Sequence, residues 1–446
     1  PATLPHSDRR INRTNPKSPV RPCPSPRILQ ELMELSPPLA AICVWVSVAL
    51  ASGCLPDPPP YDACTGENSE YYVVAPKGCN GHELLNLFSR ETEHVELSTA
   101  DLIQRTNAIS LLRGSLQLDG RFLYWMAPEH TVLRTHTRDK THLPLYRAAG
   151  IGSAVIGVSG APHELYVAEI DLDMAPDGPQ RVTSRIIALD LDSPEIGSLP
   201  TESVNGMLPS YARVAAELAD MNLTKIATVG DRFYFTSDYA STIRSGKLGR
   251  SAITRTSDLE VVVGAMTTEF RLSDANELNY VAYNAPLIDN PSLSLKRLHL
   301  DSGKTEVILS LGGNDNGARL FSRNGELYLF TCDNSDNRCQ WSRVEGDRVV
   351  VADELSTQGL ETPMAVDARG LFVIGSPRNH MALPLLLDYT ATPTAPSIIA
   401  APIVASVPLE LDEEYLYVQS DYSYTTINSR GNSTTIEATR LLRIRR

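Results

Sequence analysis

The chain has 446 residues, of which 42% are hydrophobic and 21% charged, and it carries a net charge of −13. That length buries one or more large cores, so core size does not limit the fold. The acidic balance argues against nucleic acid as a partner, because affinity for phosphate backbones rests on an excess of Lys and Arg that is missing here. Cations and basic ligands are favoured instead.

Residues 1–53 differ from the rest. Arg9, Arg10, Arg13, Lys17, Arg21 and Arg27 outnumber Asp8, Glu31 and Glu34, and a dense set of prolines leaves little to bury. An apolar run follows from Leu39 to Ala51, too short to span a bilayer and of the length of a signal-peptide core. The sequence opens on Pro1, and the basic residues stand far from the apolar run, so a start nearer Val20 or Met33 is expected. Ala51-Ser52-Gly53-Cys54 resembles the lipobox of bacterial lipoproteins, with Ala where Leu is usual. The resemblance implies cleavage before Cys54 and a lipid on its thiol, leaving a mature chain of charge −16. Leu55 after the Cys, in place of Asp, implies sorting to the outer membrane, with a periplasmic or extracellular location as the alternative.

Once the leader and Cys54 are set aside, Cys64, Cys79, Cys332 and Cys339 remain as two local pairs. Such pairs suit disulfides in an oxidising compartment, and the lack of any CxxC spacing argues against zinc. Residues 54–60 hold four prolines and form a stiff tether. Residues 61–107 are expected to form a small N-terminal cap with helical character, from the leucines within His82–Arg90 and from Ser98 and Asp101 as a capping pair.

From 108 to 446 a turn followed by a strand bearing Tyr or Phe keeps returning. Its first hydrophobic residues are Phe122, Leu165, Phe233, Leu278, Leu327, Leu371 and Tyr415, at spacings of 43, 68, 45, 49, 44 and 44. Seven copies at one period define a repeat architecture. Each copy divides into four short strands, as in Ala318–Phe321, Glu326–Thr331, Gln340–Val344 and Arg348–Ala352, and the fourth ends in a hairpin turning at Asp301-Ser302-Gly303. A unit with two sheet faces to bury, repeated seven times, predicts an all-β, seven-bladed β-propeller of one domain. The last repeat ends one strand short, so an N-terminal segment is expected to supply it, with His94–Leu97 and Ala108–Leu112 as candidates. The long second interval carries Tyr211, Val214, Ala215 and Leu218 at helical spacing, which predicts an inserted helix over Ser210–Asp220.

The stretch Asp119 to Trp125, DGRFLYW, followed by Thr131-Val132-Leu133-Arg134, resembles repeats of the YWTD type found in low-density-lipoprotein-receptor propellers and many bacterial surface proteins. The resemblance covers 108–446 and implies architecture; members of that family mostly bind other proteins.

Chemistry-bearing residues are sparse. Asp238, Asp333 and Asp421 end the Tyr-bearing strand of the third, fifth and seventh repeats, and Glu129 and Asp171 fall at similar places in the first two. Loops after the second strand share one rim of a propeller, so these acids, with Tyr239 and Tyr422 as aromatic contacts, form a candidate ligand rim for a cation or basic ligand. The competing reading is that Asp and Ser cap turns there. Asp171, Asp173 and Asp177 lack EF-hand spacing, and His130, His136 and His142 do not converge on one metal position, so no metal site and no cofactor are expected, a structural Ca2+ being left open. No GxSxG, HExxH or phosphate loop is present. The sequence therefore points to a monomeric, lipid-anchored binding or scaffold module at a bacterial envelope, with an unknown protein or a basic ligand as partner. A propeller enzyme, hydrolase or lyase, working from acids at the channel mouth, is the alternative.

Overall fold

A computed structural model describes Cys64, residues 76–95 and residues 116–446. Within the last range it leaves out 128–130, 149–152, 161–162, 174–180, 198–207, 222, 238–241, 249–251, 273–275, 284–291, 312–317, 324–325, 334–337, 347, 357–360, 368–369, 376–384, 390–395, 402, 404–408 and 428–432. The chain divides into a unit Pro1–Pro60, outside the described residues, and a unit Tyr61–Arg446. The leader, the tether and Cys54 therefore lie outside the described residues, as does the pair Ser98 and Asp101.

The second unit is a seven-bladed β-propeller. Blade 1 takes Leu116–Asp119, Phe122–Ala127, Thr131–His136 and His142–Arg147. Blade 2 takes Ser153–Gly160, Glu164–Asp173, Arg181–Asp190 and Ala212–Ala219. Blade 3 takes Leu223–Val229, Arg232–Ser237, Ile243–Lys247 and Glu260–Val263. Blade 4 takes Thr267–Leu272, Glu277–Tyr283, Leu293–His299 and Thr305–Ser310. Blade 5 takes Arg319–Arg323, Glu326–Asp333, Arg338–Glu345 and Arg348–Ser356. Blade 6 takes Glu361–Asp367, Gly370–Gly375, Leu385–Asp388 and Ser397–Ala401. Blade 7 takes Glu410–Leu411, Tyr415–Ile427 and Ser433–Arg445, and its fourth strand is the N-terminal Leu84–Val95. Two blades gain a fifth strand: Thr254–Arg255 runs parallel beside blade 2, and Lys77–Gly78 antiparallel beside blade 6.

The second strands explain why the repeat was visible. In blade 3, Phe233 and Phe235 pack toward blade 2, whereas Tyr234 between them packs toward blade 4. A strand covered on both faces reads as an unbroken apolar run with no polar alternation. Seven apolar clusters follow in sequence around the ring, each drawn from two consecutive blades. The seventh joins Leu87, Tyr417 and Leu441 of blade 7 to Leu123, Trp125 and Leu133 of blade 1. The turn leading into the second strand needs a left-handed residue, supplied by Gly120 at φ 55° and Gly230 at φ 56° in equivalent places.

Two segments expected to be helical are strands, and one cause accounts for both. Ser210–Asp220 contains the fourth strand of blade 2, paired with Arg181–Asp190, and its register shifts between Val214 and Ala216. The bulge lets Tyr211, Ala212 and Val214 face blade 1 and Ala215, Ala216 and Leu218 face blade 3. One extra residue in a two-residue alternation mimics helical spacing. The long second interval thus reflects ten-residue second and third strands and the connection before Ala212, and Ser210–Asp220 holds no helix. In the same way His82–Arg90 belongs to the closing strand Leu84–Val95, which shifts register between Asn86 and Phe88. Among the described residues the one helical turn is the 3₁₀ segment Thr256–Asp258. The stretch 61–107 is accordingly no separate cap where it is described: it supplies strands to blades 6 and 7. The closing strand takes in His94 and Val95 of one candidate, while 96–97 and 108–112 lie outside the described residues.

Both expected disulfides are formed. Cys64–Cys79, with Cα atoms 5.5 Å apart, holds the N-terminal segment beside blade 6, and Cys332–Cys339 crosses directly opposed strands of blade 5.

The seam between blades 7 and 1 carries a small polar relay. Trp125 Nε1 donates to Thr135 Oγ1 at 2.8 Å, which leaves the Thr135 hydroxyl to donate to His142 Nδ1 at 3.0 Å. Phe88 of the closing strand meets both Trp125 and His142 edge-on. Burial lowers the His142 pKa below its ordinary value, and a hydrogen bond to the Leu87 backbone opposes it weakly. A proton on Nδ1 would also remove the acceptor that Thr135 uses.

Deleting residues 84–95 should abolish cooperative thermal unfolding, seen by circular dichroism, since blade 7 would lose its outer strand and the seam its Leu87 and Phe88. A second expectation concerns pH. With a folded-state pKa below the unfolded one, His142 contributes stability that is full above about pH 6.5 and is lost as pH falls below it. Tm should therefore drop more steeply between pH 7.5 and 5 in the parent than in His142→Asn, whose amide oxygen can still accept from Thr135.

Candidate functional site

Equivalent strands of successive blades run the same way along the ring axis, so the ends of second strands reach one rim. Asp333 ends the second strand of blade 5, opposite Arg338 in the strand register. Asp171 lies two residues from the end of its strand in blade 2, opposite Thr183. Asp421 and Tyr422 differ from expectation: their strand continues to Ile427, paired with Ser433–Arg445, so they sit within a long hairpin and not at a strand end. These acids belong to blades 2, 5 and 7, which are separated by intervening blades. Glu129, His130, Asp177, Asp238 and Tyr239 lie outside the described residues.

The histidines have local roles. His136 Nδ1 lies 3.1 Å from Asp139 Oδ1 at the hairpin that begins blade 1's fourth strand, and His142 belongs to the seam. Among the described residues no group of three or more His, Cys, Asp and Glu side chains could hold a metal ion. Asp301-Ser302-Gly303 is a hairpin turn, with Gly303 at φ 68°.

The concentration of charge that the structure reveals lies on the inner strands of blades 3, 4 and 5, which line the central channel. Glu269 of blade 4 is the hub. Its carboxylate takes Lys225 Nζ from blade 3, Arg271 Nη1 at 2.9 Å from its own strand, and Arg319 Nη1 at 3.7 Å from blade 5. Glu269 and Arg271 point the same way because they are two residues apart on a strand. Lys225 also sits 5.1 Å from the centroid of the Phe270 ring. Arg271 is held down at about 10, chiefly by burial; Glu410 on the inner strand of blade 7 pulls its pKa up and Arg319 pushes it down. It remains a cation at neutral pH.

Sequence reasoning missed this cluster, although a signal existed. Registered on the marker residues, Lys225, Glu269 and Arg319 stand eight or nine residues before Phe233, Leu278 and Leu327. A charge recurs at that place in three consecutive repeats.

A second charged chain is a brace. Glu169 on blade 2 is 1% exposed; it accepts from the Tyr146 hydroxyl of blade 1 and lies 3.7 Å from Arg185 Nη1. Burial first, then the Glu169 charge, raises the Tyr146 pKa and keeps the phenol protonated as donor. Arg185 lies 4.0 Å from Glu217, and Glu217 3.7 Å from Arg255 on the added fifth strand, so charge links blade 1 to the outer edge of blade 2.

The fold and this channel define a seven-bladed β-propeller with a cationic cluster at its centre. No family model matches the chain, and no curated protein matches it. Among solved structures it is similar to an oligogalacturonate lyase from Vibrio parahaemolyticus at 12% identity and TM-score 0.43, over 61% of this chain and 75% of that one. The β-propeller domain of Cps50 (Swd1) from Myceliophteria thermophila matches at 11% identity and TM-score 0.43, over 72% and 95%. Dihydro-heme d1 dehydrogenase NirN matches at 13% identity and TM-score 0.39, over 73% and 67%. Similarities of this size carry no argument about function.

Glu169→Ala should cost about 2 kcal/mol, because it leaves the buried Tyr146 phenol without its acceptor and removes one partner of the part-exposed Arg185, and Tyr146→Phe about 1 kcal/mol. Urea unfolding of the two variants checks the ordering.

Proposed function

We propose that this protein is an exported β-propeller, held by a lipid on Cys54, that works as a binding or scaffold module at the bacterial envelope. The observation that carries the binding reading is the charge cluster in the channel. Lys225, Arg271 and Arg319 converge on the Glu269 carboxylate, and fixed charges suit recognition of a complementary group. Proton transfer instead requires groups that titrate near the working pH and converge on one atom. The acids that an enzyme would use from the channel mouth are spread over blades 2, 5 and 7, which also favours a binder. The two disulfides support an oxidising, extracytoplasmic location. The resemblance to YWTD repeats supports a protein partner, with the acidic rim of Glu129, Asp171, Asp238, Asp333 and Asp421 offered to a basic surface.

In a bacterial host, Cys54→Ser should move the protein from the membrane to the soluble fraction, and its continued sedimentation with membranes would remove the lipid anchor from the proposal. Charge reversal of Asp238, Asp333 and Asp421 together should reduce capture of envelope partners by the immobilised protein. Unchanged capture would assign those acids to turn capping.

A further inference from the structure

We infer that the channel face of blades 3, 4 and 5 is a binding site for a ligand carboxylate, with Arg319 and Arg271 as its donors and Glu269 and Lys225 as the frame that holds them. The inference deepens the binding reading by naming the ligand chemistry.

Charge gives the first argument. Among the described residues of this cluster, three cations, Lys225, Arg271 and Arg319, face two carboxylates, Glu269 and Glu410, a local surplus of positive charge inside a chain whose net charge is −13. A ligand carboxylate supplies negative charge that offsets that surplus. Low-dielectric walls strengthen a field of this kind, and the burial that depresses Arg271 indicates such walls.

Donor accounting gives the second argument. Glu269 Oε1 is occupied by Lys225 and by Arg271 Nη1, and Arg271 Nη1 also donates to the Phe270 carbonyl at 3.1 Å. Arg319 stands apart. Its guanidinium lies 3.7 Å from Glu269 Oε2, beyond hydrogen-bond distance, and its side chain is 46% exposed. Among the described residues it has no hydrogen-bond partner. A brace between blades 4 and 5 would close that gap, whereas a receptor leaves it open. A planar guanidinium presents a fork of N–H groups that matches a carboxylate in two parallel bonds, so an open Arg319 beside a fixed Arg271 suits that group.

The probe is succinate, titrated into the purified full chain, with sodium chloride at matched ionic strength as control. Modification of individual arginines by phenylglyoxal is read by mass spectrometry. Succinate should slow modification of Arg319 in a saturable way, roughly tenfold or more at saturation. Arg348, exposed on the outer strand of blade 5, should react at an unchanged rate. Arg319→Gln, at a half-exposed position that the fold tolerates, should weaken succinate binding in calorimetry by roughly tenfold or more. Glu269→Gln, where it folds, should strengthen it by releasing three cations from their internal carboxylate. Protection of Arg319 by chloride equal to that by succinate would mean an adventitious ion only and would overturn the site. So would a succinate affinity that Arg319→Gln leaves unchanged. None of these measurements uses the envelope or a partner protein, so their failure would leave the anchored binding module standing, and failure of partner capture would leave this site standing.

Discussion

Everything in this molecule depends on covering both faces of each blade. A four-stranded sheet with apolar residues on both sides is insoluble alone, and the ring solves this by giving each face to a neighbour. The alternation of Phe233, Tyr234 and Phe235 between blades 2 and 4 is the local form of that solution. Seven clusters of this kind form a closed circuit, so no blade's faces are left as ends. Removing any one seam exposes two apolar faces at once, and stability is therefore shared around the ring.

The same two-sided burial decides what could be read in the sequence. The second strands were legible because an apolar run such as FLYW, LYVA or LYLF recurs at a fixed period, and several hairpins because Gly120, Gly230 and Gly303 mark left-handed turns. The bulged strands were not. At Val214–Ala216 and at Asn86–Phe88 the extra residue changes which blade the following side chains face, and the resulting spacing is that of a helix. Period alone cannot separate the two, because a bulge is specified by the partner strand. The channel cluster was hidden for a related reason: Lys225, Glu269 and Arg319 lie 44 and 50 residues apart and meet only when three blades are stacked. The rim acids, conversely, stood out in the sequence, yet Asp171, Asp333 and Asp421 are kept apart by the ring.

Charge is distributed in two ways that serve different ends. In the Tyr146–Glu169–Arg185 chain the phenol and the carboxylate are buried, and the carboxylate has partners from two blades, which is the condition under which a buried charge is tolerated. It fixes blade 1 against blade 2. The channel cluster holds more cations than carboxylates and keeps Arg319 half exposed. A structural network tends toward neutrality and satisfied donors, and a surplus of one sign is stable only where water or a counter-ion can reach it. The difference between the two clusters is thus a difference in purpose that the partner count reveals.

Closure couples the two ends of the chain at a considerable entropic cost. Leu84 pairs with Ile444, so the closing hairpin joins residues on the order of hundreds apart, and loop-closure entropy for such a separation is about 5 kcal/mol. Eleven paired residues of Leu84–Val95 and the burial of Leu87 offset it, with about 2 kcal/mol from that side chain alone. The ring cannot close until the last blade exists, because Ser433–Arg445 is the strand that Leu84–Val95 joins. Until then Leu87 and Phe88 have no blade to cover them, and Trp125, Leu123 and Leu133 of blade 1 lack their cover too. The Cys64–Cys79 link spans 15 residues and can form early. The segment it closes contains Lys77–Gly78 on blade 6 and leads into Leu84–Val95 on blade 7. A covalent loop placed just before the closing strand shortens the search that this strand must make, and that explains why the staple sits at the one place where the ring depends on a segment so distant in sequence.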